Sequence, residues 1–147
     1  MLALISGRGA LPALVVAALR ERPLIASLEQ FIPDELVSDL IFRLETLGTF
    51  LDRLKGLGIT EVCFAGAIQR PEIDHNLIDD QTKKISKRLI EAIDMGDDRA
   101  LGAVIEIFEA SGFGVVGLDK IIPNWLPDCG VLTKKRPDPA HKQDAQR

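Results

Sequence analysis

The sequence predicts an α/β fold in which helices cover a mainly parallel sheet in three layers. Three observations lead there. Short apolar runs of strand length recur as "LALIS", "LIASL" and "ITEVCFAG", segments with helical spacing fall between them, and the turn "GRGALP" joins the first run to the first helix. Apolar runs without alternation mark strands buried on both faces, and strand–helix alternation marks a parallel sheet.

Taken in order, "LALIS" is the first strand. Leu11, Leu14, Val15, Ala18 and Leu19 then recur at helical spacing, with Pro12 in a first turn where its missing N–H costs nothing. "LIASL" is strand two. Residues 33 to 43, "PDELVSDLIFR", fit a loop with a short strand or an irregular helix, and the strand is favoured for Leu40 to Phe42. After Gly48, Phe50, Leu51, Leu54 and Leu57 share a helical face, with Gly56 and Gly58 placed to end it. "ITEVCFAG" is the next strand.

Residues 69 to 80, "QRPEIDHNLIDD", are polar and proline-marked, a long loop expected over the carboxyl edge of the sheet. Two helices follow, one carrying Ile85, Leu89 and Ile93, the other Leu101, Val104, Ile105 and Phe108, with "GDD" at Gly96 to Asp98 between them. "FGVVGL" is the last strand, and an irregular apolar stretch surrounds Trp125. Residues 1–133 therefore form one domain, while 134–147, "KKRPDPAHKQDAQR", carry too little apolar surface to offset the entropy of ordering and read as a polar tail or a linker.

Composition narrows the function classes. The 147 residues are 46% hydrophobic and 27% charged, enough for a buried core, and the net charge of −4 argues against a partner that is nucleic acid. Cys63 and Cys129 show neither disulfide-framework nor metal-ligand spacing, so the cytoplasm is the expected compartment. No apolar run approaches the length of a membrane span, and "MLALISGRGALP" lacks the basic start of a signal peptide.

The glycine turn is where chemistry is expected. Gly7-Arg8-Gly9-Ala10-Leu11-Pro12 approaches the dinucleotide fingerprint, and Glu29, twenty residues after Gly9, stands where a ribose-binding acid would. Yet Pro12 occupies the third glycine's place. A second reading is a tight turn needing positive φ, and a third, favoured by Arg8 beside a helix N-terminus, is an anion site suited to phosphate. "FAGAIQRP" ends a strand on small residues that permit close approach and places Arg70 beside them; the alternative is a solvated arginine in a tight turn. Asp97 and Asp98 fit helix caps, or else ligands to a hydroxyl or a Mg²⁺-bound water. Asp79 and Asp80 read as capping residues, His75 as a loop residue, and no nucleophile constellation is present.

Together, "LALISGRGALP", "GITEVCFAGAIQRP", "GDDRAL" and "GVLT", in this order, resemble the N-terminal domain of the LpxI-type UDP-2,3-diacylglucosamine pyrophosphatases. The resemblance implies a Rossmann-like domain. It also implies hydrolysis of a UDP-linked diacylated glucosamine to UMP and the acylated sugar 1-phosphate of lipid A assembly, with Mg²⁺, at the cytoplasmic face of the inner membrane. The motif positions it carries over are Gly7, Arg8, Gly9, Gly66, Arg70, Gly96, Asp97 and Asp98, with Ala10 and Leu11 completing the turn as substrate-binding residues.

Family members continue past "GVLT" into a second domain that holds the hydrolytic aspartate. By that resemblance this chain is expected to be the substrate-binding half, inactive alone and partnered by the missing domain. The competing expectation is a stand-alone module that binds a nucleotide or sugar phosphate without catalysis.

Overall fold

The computed structural model describes residues 1–69, 71–95 and 97–123, with backbone alone at 86, 88, 89, 91–95 and 97–99. Five strands, β1 (Leu2–Ser6), β2 (Leu24–Leu28), β3 (Leu40–Phe42), β4 (Glu61–Ala65) and β5 (Gly114–Val115), form one sheet. Their order is β3-β2-β1-β4-β5 and every pairing is parallel. The helices are α1 (Leu11–Ala18), α2 (Leu47–Gly56), α3 (Asp80–Met95), α4 (Asp97–Ala110) and α5 (Leu118–Ile121). This is the α/β architecture expected from the sequence, and β3 occupies the residues favoured for it.

Alternation along each strand sorts the apolar residues onto two faces. Ala3 and Ile5, Ala26 and Leu28, and Val62 join Leu47, Phe50, Leu51 and Leu54 of α2 and Ile107 and Phe108 of α4 in the larger core. Leu4, Cys63 and Ala65 point the other way, into a smaller core with Val15 of α1 and Ile122 beyond α5. Burial pushes the Cys63 thiol up to about 11, so it is a packed apolar residue rather than a nucleophile.

Three details differ from the sequence expectation. Leu19 leaves the helix, because α1 stops at Ala18 and Leu19 is already extended at ψ 143. Leu57 lies beyond the end of α2 and is 45% exposed instead of sharing its buried face. The last strand is only Gly114–Val115, paired with Glu61 and Val62 of β4, and Leu118, expected at its end, opens α5 instead. "GVLT", Trp125, Cys129 and the tail from 134 lie outside the described residues.

Candidate functional site

From β1 the chain winds outward through β2 and β3, and β4 is added on the opposite side of β1. The β1–β4 seam is therefore the point where the winding reverses, and a crevice at the carboxyl ends of the strands follows from that topology. Both glycine turns named from the sequence flank this seam. Gly7 N–H donates to the Ala65 carbonyl at 2.9 Å, and Arg8 and Ala67 exchange two backbone hydrogen bonds, each 2.9 Å. A Cβ on Gly7 would stand 2.5 Å from the Ala67 carbonyl oxygen, and one on Gly66, whose φ is +100°, would stand 2.7 Å from the Gly7 carbonyl carbon. Each glycine is there because the other turn comes too close for a side chain.

Arg8 points outward from this seam. Its Nη2 donates to the Gln30 carbonyl at 3.2 Å, and the guanidinium lies 5.7 Å from the centre of the Phe31 ring. Gly9, at φ +91°, turns its N–H toward the Asp34 carboxylate, which accepts at 3.0 Å. Ala10 caps α1 without a side-chain bond, and Leu11 opens the helix. An anionic oxygen thus already sits on an amide of the turn, supplied by the chain itself. Glu29, the acid a dinucleotide would need, forms an ion pair with Arg43 at 3.2 Å.

The segment after Gly66 is held at several points. Gln30 reads the backbone of Glu72 with both ends of its amide, donating to the carbonyl at 3.2 Å and accepting from the N–H at 3.4 Å. Glu45, 2% exposed, accepts from the Asp74 N–H at 3.0 Å and pairs with Arg43 at 3.4 Å. Burial would raise its carboxyl, but the Asp74 N–H and the Arg43 guanidinium outweigh it and hold the group below its ordinary value of 4.5. Asp79 caps α3 through the Thr82 N–H at 2.6 Å as expected, whereas Asp80 is already the first residue of the helix and its carboxylate pairs with Lys83 at 2.7 Å instead of capping. His75 lies in a short 3₁₀ turn.

Beneath these turns lies an apolar cavity of about 430 Å³. Its lining includes Ile5 and Leu28 from the strand ends, Leu47 from α2, Val104 and Phe108 from α4, and Gly66 at the rim. Leu11 of the glycine turn lines it as well, so this motif residue faces hydrocarbon rather than the polar rim. Apart from Gly66 and Leu11, which the motifs named, these lining residues read as core, and nothing in the one-dimensional pattern announced such a space. Asp34, Gln30 and Glu45 were missed for a related reason, since a lone polar residue carries no spacing that reveals its distant partner.

Arg70 and Gly96 lie outside the described residues, and so do the side chains of Asp97 and Asp98, whose backbone opens α4. Past Arg99 in the first turns of the same helix, Ala100 and Leu101 line the cavity.

The N-terminal LpxI domain model matches residues 1–125. The chain belongs to the LpxI N-terminal domain family. Within it, the chain is 32% identical over 100 residues to the UDP-2,3-diacylglucosamine pyrophosphatase LpxI of Caulobacter vibrioides, an alignment covering 68% of this chain and 36% of that protein. This LpxI N-terminal domain thus spans about a third of its relative's length. Among the described residues no three His, Cys, Asp or Glu side chains group as a metal site, and no helix is long and apolar enough to cross a membrane. Asp34, Glu45 and Asp79 each accept a backbone N–H from within the chain.

Proposed function

We propose that this domain is the substrate-binding half of a UDP-2,3-diacylglucosamine pyrophosphatase. The observation that carries the reading is the pairing of an apolar cavity with a polar turn at one crevice, in a chain of this family. A lipid-linked nucleotide sugar is such a pair of chemistries joined in one molecule. In this reading an acyl chain enters the cavity past Gly66, and the diphosphate lies along the rim formed by Gly7, Arg8, Gly9 and Ala10. Arg70, Gly96, Asp97 and Asp98, the remaining motif positions, would bind the same ligand in this reading.

Hydrolysis adds water across the diphosphate: a water oxygen bonds to one phosphorus, the bridging P–O bond breaks, and UMP and the acylated sugar 1-phosphate leave. The domain contributes positive charge and backbone donors to the charge building on phosphorus. A divalent metal such as Mg²⁺ would supply activation of the water, and in this reading its ligands and the hydrolytic carboxylate would come from a further domain. The work takes place in the cytoplasm, against the inner face of the membrane that holds the lipid.

The test is to assay residues 1–147 for Mg²⁺-dependent release of UMP from UDP-2,3-diacylglucosamine, alone and mixed with the C-terminal part of the Caulobacter relative. No release alone and turnover on mixing is the expected result. Steady turnover by this chain alone, abolished by replacing Asp97 or Asp98, would place the catalytic carboxylate here. Tight binding of UDP or UMP by this chain, with no turnover in any mixture, would make it a sensing module instead.

A further inference from the structure

The cavity has a direction. Its lining runs from exposed to buried: Ile68 and Leu101 are 44% and 52% exposed, whereas Phe108 and Leu47 are 1% and 0% exposed. Leu101, Val104 and Phe108 are spaced to share one face of α4, and the helical rise sets the first and last of them roughly 10 Å apart along the axis. The helix is therefore a wall that runs from the open mouth to a closed floor. A straight apolar chain that entered beside Leu101 and followed α4 would pass Val104 and then reach the Phe108 ring.

That ring is held in place. Phe64 of β4 meets it edge-on with centroids 5.2 Å apart, and Phe113 tilts against it at 5.8 Å. Aromatic neighbours in these arrangements pack the ring from two sides, which opposes its displacement by a longer ligand.

We infer that Phe108 is the length stop of the cavity and sets which acyl chain the domain prefers. The inference rests on the reading that the cavity takes an acyl chain, and adds to it a residue that determines specificity. A void opened at an apolar site stays dry and accepts hydrocarbon, so removing the ring should lengthen the cavity rather than flood it. A large residue at Val104, halfway down, should shorten it.

The experiment is isothermal titration calorimetry of the full chain with straight-chain fatty acids from decanoate to stearate, each below its micelle concentration. Three variants accompany it: Phe108→Ala, Val104→Phe and Leu101→Ala. The expected result is a length optimum in the unaltered protein that moves up by two carbons in Phe108→Ala, whose affinity for the longer acid rises about tenfold from the two further methylenes buried. Val104→Phe should move the optimum down. Leu101→Ala, at the mouth, should weaken all lengths alike without moving it.

If circular dichroism shows Phe108→Ala unfolded, the downward shift in Val104→Phe decides. An optimum at the same length in every folded variant would overturn the length stop while leaving the acyl reading intact. Failure of the unaltered chain to bind any member of the series would overturn the acyl reading, and the length stop with it.

Discussion

The rim and the cavity of the same crevice are built in opposite ways. At the rim, polar groups have partners from within the chain: Gly9 N–H has Asp34, Arg8 has Gln30 and Phe31, and Arg8 and Ala67 join their backbones. In the cavity, residues from four strands and four helices border about 430 Å³ that none of them fills. The difference teaches that motif residues can secure a site's shape while most of its binding capacity lies in ordinary core residues. Gly7 and Gly66 are the clearest case, because their absent side chains bring two turns together above the cavity.

The largest effect that would break this contrast is expected at Gly66. Gly66→Ala forces a side chain onto positive φ and onto the Gly7 backbone, and should destabilise the domain by roughly 3 kcal/mol in urea unfolding. Gly9→Ala shares the positive φ but meets nothing within 4 Å, so it should cost only about 1 kcal/mol. Equal losses at the two positions would show that conformational strain alone, rather than close approach, fixes the glycines.

Next is Glu45, which ties the segment after the seam to α2's approach. Glu45→Ala leaves the Asp74 N–H and the Arg43 guanidinium without this acceptor and should lower stability by about 2 kcal/mol at neutral pH. Because the folded carboxyl lies below its ordinary 4.5, its charged form stabilises the fold above that pH, and the contribution is lost as pH falls through the lowered value. The gap between the two proteins should therefore narrow on acidification below about pH 4.5, and a gap independent of pH would refute the ionic role.

Smaller effects sharpen the rim itself. Arg8→Ala should keep the fold, yet weaken binding of UDP by about 1.5 kcal/mol if the guanidinium makes a charge-assisted bond to phosphate. Unchanged affinity in a folded protein would remove Arg8 from the site. Asp34→Asn takes a negative charge off the Gly9 amide and should strengthen binding of the same ligand by about 0.5 kcal/mol. Weaker binding would show that Asp34 instead helps to shape the turn for its ligand.

Much of the fold could be read from the chain because its signals are local. Unbroken apolar runs, helical spacings, the glycine turn and the polar loop each concern residues close in sequence, and they placed the five strands and the helices α1 to α4 in order, while α5 was read as strand end and irregular chain. The misses at Leu19, Leu57 and β5 fall at element ends, where pairing with a neighbour rather than local preference decides the last residue. The candidate site divides along the same line. Gly7, Arg8, Gly9 and Gly66 were legible as motif, whereas Gln30, Asp34 and Glu45 reach partners 22 to 42 residues away and left no pattern to find.

What the sequence by itself determined is the order of strands and helices and the family motifs, since both are written in neighbouring residues. Tertiary structure alone decided that β4 adds beside β1, that two glycine turns lock together there, and that a cavity opens beneath them. An empty volume belongs to no residue: it is what remains when helices of fixed diameter pack on a twisted sheet, and it exists only once every wall is in place.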